Sequence, residues 1–255
     1  MTRRAIDVIC VARIHLARLR TESGPFLLAA FVFPVVMYMF ASAIGLSQRD
    51  GVPDPAVRLR FLSGSIVFSL SLTAVSWLGY LLLENRFTGR LKLFATLPLA
   101  PTSYVLGVLV FALIQAAVGT AALFAVGWAS GVHAAIALPG GIPLLGVILV
   151  LTVLSMCGIA VIIAARARSF SEGALLTDAL GAGLVFLAPI YFPADALPRG
   201  LRLLSHILPT TYAARGVQVM LAGGRDVGGD VIALLTMTVV TLGIGFHVMR
   251  WREDR

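Results

Sequence analysis

Charge is scarce in this chain: charged residues make up 13% of its 255, and lysine occurs once, at Lys92. An average soluble domain carries about 25% charge, so water is not the main solvent here. Cysteine is nearly absent. Cys10 lies in an amphipathic stretch and Cys157 in an apolar run, which excludes a disulfide framework and a thiolate metal site and leaves two small buried hydrophobes. A phosphate cradle ending in Gly-Lys-Ser or Gly-Lys-Thr is missing, because the single lysine follows Leu91. Intramembrane hydrolase signatures are missing too: there is no His-Glu-x-x-His helix and no Gly-x-Ser-x-Gly elbow. His15, His133, His206 and His247 fall on separate segments, so no metal site is expected, and Ser63-Gly64-Ser65 has no partner base and reads as helix packing.

What is present is apolar. The chain is 59% hydrophobic, with a mean hydropathy of +0.96. An apolar run of about 20 residues crosses the hydrocarbon core of a bilayer. The runs at residues 26 to 46, 61 to 83, 104 to 128, 142 to 165, 174 to 193 and 230 to 249 predict about six transmembrane helices in one all-α membrane domain over residues 1 to 255. The first long run begins near Pro25 and spans, so the N-terminus does not read as a cleavable signal peptide. Pro34 inside that run predicts a kink. Before it, within residues 1 to 25, Ala5, Val8, Ile9, Ala12, Leu16 and Leu19 share one helical arc, with Arg4, Asp7, His15 and Arg18 opposite, and Val11 and Ile14 interrupt the polar side. That pattern predicts a helix lying in the membrane interface.

The net charge of +8 comes from Lys and Arg at the ends of apolar runs. Placed there, they anchor helices at the phosphate level, and a nucleic-acid partner is not expected. With the N-terminus inside, the cytoplasmic segments hold Arg3, Arg4, Arg13, Arg18, Arg20, Arg86, Arg90, Lys92, Arg166, Arg168, Arg250, Arg252 and Arg255. The outer segments hold fewer, namely Arg49, Arg58, Arg60, Arg199, Arg202, Arg215 and Arg225. This asymmetry places both termini in the cytoplasm of a multi-pass protein of the plasma membrane.

Two segments between the spans carry more than hydropathy. Residues 84 to 101 follow the second run, and there Phe87, Leu91 and Phe94 recur at helical spacing, Arg86 and Arg90 share a neighbouring face, and Pro98 stops the helix. On periodicity alone this is either a docking helix or a helix snorkelling at the interface. Residues 194 to 229 follow the fifth run. Between Pro198 and Pro209, Leu201, Leu204, Ile207 and Leu208 recur at helical spacing opposite Arg199, Arg202 and Ser205, in a stretch too short to span. Pro193, Pro198 and Pro209 set its corners.

In order along the chain, Glu84, Gly89, Leu91, Thr96 and Pro98 resemble the coupling region of type-2 ABC transporter permeases. Phe192-Pro193, Leu197-Pro198 and Pro209-Thr210-Thr211-Tyr212 are similar to that family's outer re-entrant helical pair. The resemblance covers nearly the whole chain and departs from the family in its basic Arg90 and Lys92, where the family commonly has Thr and, two positions on, Glu. It implies an ATPase-coupling region at Glu84, Arg86, Gly89, Arg90, Leu91, Lys92, Phe94 and Pro98, and an outer gate at Phe192, Pro193, Pro198, Pro209, Thr211 and Tyr212. It further implies a separate nucleotide-binding ATPase subunit in two copies, carrying ATP and Mg, a second permease half, identical or homologous, and surrounding membrane lipids. The implied activity is export of an amphipathic drug, lipid or secondary metabolite by alternating access, with no cofactor bound by this chain.

Polar residues inside the spans raise a second reading. Asp178 is an acid within the fifth run and would serve an ion- or proton-coupled secondary transporter as its coupling group. Glu172 reads as the acid of a Ser169-x-x-Glu172 capping box. Ser65, Ser69, Thr73 and Ser76 recur along one face of the second run, and Gln115 lies in the third; such residues either pack helices closely or line a wet pathway with Asp178.

Overall fold

A computed structural model describes residues 3–18, 24, 31–47, 55–132, 141–192, 195 and 197–249. Every element among them is helical. The chain opens with α1 (Arg3–Arg18) and α2 (Phe33–Ser47). The long α3 (Ala56–Phe87) follows, and Leu72–Trp77 form a π-helical turn in its middle. Then come the short α4 (Arg90–Thr96), α5 (Pro101–Ala129), α6 (Gly141–Arg166), α7 (Phe170–Phe186), two shorter helices α8 (Arg199–Ser205) and α9 (Pro209–Leu221), and α10 (Gly228–Val248).

Four of these, α3, α5, α6 and α10, are long and apolar enough to cross a membrane. Of the other two expected spans, α7 has 17 residues, about 25 Å at 1.5 Å per residue, while α2 is described from Phe33 to Ser47 and residues 26–30 of its expected run lie outside the described residues. The fifth span was expected at residues 174 to 193. Instead it starts earlier, because the Ser169 hydroxyl accepts the Glu172 amide at 3.1 Å and caps it, and it gives way to turns after Phe186. The second was expected at residues 61 to 83 but runs further in both directions. Arg58 and Arg60, read as loop residues, therefore lie inside α3: a run of hydropathy marks what sits in lipid, not where the backbone stops being helical. Pro34 stands one residue after two π-helical residues, Phe31 and Val32, so the irregularity expected there takes the form of a wider turn.

α3 is the centre of the bundle, packed against α2, α4, α5, α6, α7 and α9. Its packing depends on small residues at the crossings. A Cβ on Gly79 would meet Thr177 at 2.6 Å, and one on Gly173 would meet Leu83 at 2.3 Å, so α3 and α7 approach closely there. Gly158 and Gly245 do the same for α6 and α10, where Thr241 donates its hydroxyl to the Ser155 carbonyl at 2.9 Å. α1 lies along α5, with Val11 over Gly107.

The amphipathic pattern of α1 is rotated from the expected one. Val11, Ala12 and His15 are its buried face, while Ile6, Ile9 and Ile14 are exposed. A helix wedged between protein and bilayer has two apolar sides, and Val11 and Ile14, which appeared to spoil a polar face, belong one to each.

Candidate functional site

Three successive residues at the end of α3 reach three different parts of the molecule. The Glu84 carboxylate accepts both oxygens' worth of hydrogen bonds from Arg18 of α1, at 2.7 and 2.9 Å, and a further one from Arg90 of α4 at 3.0 Å. Asn85, buried, donates its amide to the Tyr104 hydroxyl of α5 at 2.9 Å. Arg86 turns the other way. Its Nη1 donates to the carbonyls of Ala164, Ala165 and Ala167 at 2.7, 3.2 and 2.9 Å, which caps the end of α6.

The link from α3 to α4 is made by backbone geometry. Thr88 donates its amide and its hydroxyl to the Glu84 carbonyl at 2.9 and 2.6 Å, ending α3. Gly89 then takes φ +79°, a left-handed conformation that side chains rarely adopt, and the chain turns into α4. This corrects the expectation of one continuous helix. Arg86 and Arg90 do not share a face, and Phe87 belongs to α3 rather than to the stripe of Leu91 and Phe94. α4 stops where Leu97 becomes extended ahead of Pro98.

α4 is two-sided. Leu91 and Phe94 are half-buried against the bundle, with Phe94 5.2 Å from Tyr104 between ring centroids. Arg90, Lys92, Leu93, Leu97 and Pro98 are exposed, Leu93 at 67%. Beneath α4, the buried His15 sits among the rings of Phe94, Tyr104 and Phe111, at 6.4, 6.4 and 5.8 Å. Burial first, and then the nearby charges of Arg18 and Arg90, push its pKa down to about 4, so the imidazole is neutral at physiological pH. Sequence reasoning missed both Arg18 and His15 by assigning them to a solvated face. Their position in the last turn of α1 was the available signal, since only there can the helix reach a neighbouring carboxylate.

At the opposite end of α3 the short helices α8 and α9 are held by hydroxyls that bond backbone. Thr210 donates to the Leu184 carbonyl at 2.5 Å, Thr211 to that of Ser205 at 2.6 Å and Tyr212 to that of His206 at 2.8 Å. Pro198 is extended and precedes α8, Pro209 is buried at the first turn of α9, and Phe192 is 65% exposed. Pro193 lies outside the described residues. Arg202 donates to the Asp195 carbonyl at 2.9 Å.

The polar residues of the spans divide into two sets. Ser65, Ser69, Thr73 and Gln115 are buried between helices, with Ser65 3.5 Å from the Tyr191 hydroxyl. Ser76 is half-buried beside Gly181, and Asp178 is exposed, accepting a hydrogen bond from Tyr80 at 2.5 Å. An open wall therefore contains Ser76, Tyr80 and Asp178, and the buried set does not join it.

An all-α bundle with four membrane-length helices, crossed at one end by an amphipathic helix tied through a shared carboxylate, defines a multi-pass membrane protein. The model of the ABC-2 type transporter family matches residues 8–222, and the chain belongs to that family as the permease subunit of an ABC transporter. No curated protein matches the chain in sequence.

Proposed function

We propose that the chain is one permease domain that exports an amphipathic drug, lipid or secondary metabolite across the plasma membrane, with both termini cytoplasmic. ATP and Mg are bound by a separate ATPase subunit, present in two copies, and a second permease half, identical or homologous, completes the transporter. α4 is the docking helix. The observation that carries this reading is its two-sidedness: Leu91 and Phe94 anchor it to the bundle, Lys92, Leu93 and Leu97 are exposed, and Arg90 is exposed beside its partner Glu84. A short helix with exposed leucines beside cations fits an apolar cleft rimmed by acids.

Closure of the ATPase pair displaces α4, and the displacement reaches α1 through Glu84, α5 through Asn85 and α6 through Arg86. α8 and α9 form the outer gate. Ser76, Tyr80 and Asp178 face the route of the substrate, where an exposed acid on a membrane helix is tolerated because water and a tyrosine hydroxyl solvate it. Family membership removes the need for Asp178 to couple ion movement.

Affinity purification of the tagged protein from its native membrane in mild detergent tests the reading. A stoichiometric ATPase chain is expected with the parent protein and is lost from the double variant Arg90→Glu, Lys92→Glu. Capture of the same ATPase by that variant would remove α4 from the docking role.

A further inference from the structure

Between α1, α3 and α5 lies a cavity of about 150 Å³, lined by His15, Arg18, Trp77, Tyr80, Leu81, Glu84 and Phe111. We infer that this cavity holds part of an acyl chain of a membrane phospholipid, seated between the first helix and the spans.

Its size excludes a drug-sized ligand, for which pockets run to about 300 Å³ or more. A cavity of about 150 Å³ takes a single ring or a short stretch of hydrocarbon. Its depth suits a lipid. Glu84 is three residues from the end of α3, at headgroup height, and Trp77 is seven residues deeper, about 10 Å along the helix. The cavity therefore runs from the headgroups into the upper acyl region. Its lining also disfavours water, which needs two to four polar partners. The polar groups here are already committed: Arg18 to Glu84, Glu84 also to Arg90, and the Tyr80 hydroxyl to Asp178. What remains is the neutral imidazole of His15, whose Nε2 is buried without a partner among the described residues and is the one polar atom left for water, and the apolar walls of Trp77, Leu81 and Phe111, which gain contacts from a hydrocarbon chain. Ile6, Ile9 and Ile14 are exposed on the outer side of α1 with Arg13 among them, a composition that suits the boundary between acyl chains and headgroups. A chain in this position braces α1 against α3 beside the carboxylate that also holds Arg90, so lipid supply bears on α4. The inference does not depend on the ATPase assignment.

Trp77 is a built-in reporter. In a Trp128→Phe, Trp251→Phe background it is the sole tryptophan, and the purified protein is reconstituted into vesicles of phosphatidylcholine brominated in the upper half of the acyl chains. Bromine quenches only at near contact, so Trp77 fluorescence is expected to fall about twofold relative to unbrominated vesicles. Leu81→Phe, which fills the cavity, recovers most of that loss, and Phe111→Leu, which enlarges it, deepens the loss; aqueous acrylamide quenches little in any of them. Strong acrylamide quenching without bromolipid quenching would overturn the proposal in favour of a water-filled cavity. Bromolipid quenching identical in the parent and both variants would overturn it as well, since Trp77 would then sense only bulk bilayer.

Discussion

The bundle is fastened by different chemistry beside the two ends of α3. At the Glu84 end the ties run between charged or amide side chains from separate helices, and one carboxylate is shared by two arginines. At the other end, short helices are held mainly by threonine and tyrosine hydroxyls that bond backbone carbonyls, beside one ion pair from Arg215 of α9 to Asp230 of α10 at 3.2 Å. A shared carboxylate is a divisible contact. If Arg90 moves away, Arg18 keeps Glu84, so the junction survives rearrangement. Hydroxyl-to-carbonyl staples have no second partner waiting and hold one arrangement. The first end is built to be displaced and the second to be restored.

Removing the divisible contact should have the largest effect. Glu84→Gln keeps the shape and loses the charge, and export measured in vesicles should fall about tenfold or more while insertion and α-helix content stay unchanged. Arg86→Gln should act on stability instead. It withdraws a charged donor from three carbonyls at the end of α6, at a cost of about 1.5–3 kcal/mol, read as a lowered melting temperature in detergent. Thr210→Val at the opposite end should cost about 1 kcal/mol by the same assay, with transport per ATP hydrolysed unchanged.

His15 supplies a pH dependence confined to the first end. Its folded pKa is depressed from 6.5 to about 4, so on acidification the unfolded chain takes up the proton first. The stabilisation is complete above about pH 6.5 and is lost as pH falls toward 4. His15→Phe should flatten this part of the melting-temperature profile. The smallest effect belongs to Asp195→Asn, whose side chain is 95% exposed and whose pairing with Arg202 at 3.7 Å should contribute at most a few tenths of a kcal/mol.

Much of this contrast was legible in the order of residues. Gly89 and Pro98 mark the ends of a short helix, and Pro198 and Pro209 mark those of α8, because left-handed backbone and missing donors leave local signatures. The capping role of Ser169 was legible for the same reason. Partnerships across the bundle were not. Glu84 is 66 positions from Arg18, and nothing local distinguishes an arginine that will meet a carboxylate from one that will meet phosphate. The stripe of Ser65, Ser69 and Thr73 was ambiguous because a small polar face packs a helix as readily as it lines water. The structure buries those residues and leaves Ser76 and Asp178 open. Helix ends escaped too, since hydropathy follows the solvent rather than the hydrogen bonds.

Which end of the bundle meets the ATPase can be measured directly by cross-linking single cysteines to the co-purified ATPase chain. In a Cys10→Ser, Cys157→Ala background, Leu93→Cys and Phe192→Cys place exposed thiols at opposite ends of α3. A short bifunctional thiol reagent should join the ATPase to the Leu93→Cys protein and leave the Phe192→Cys protein unlinked. A cross-link from Phe192→Cys, with none from Leu93→Cys, would contradict the assignment of α4 as the coupling helix.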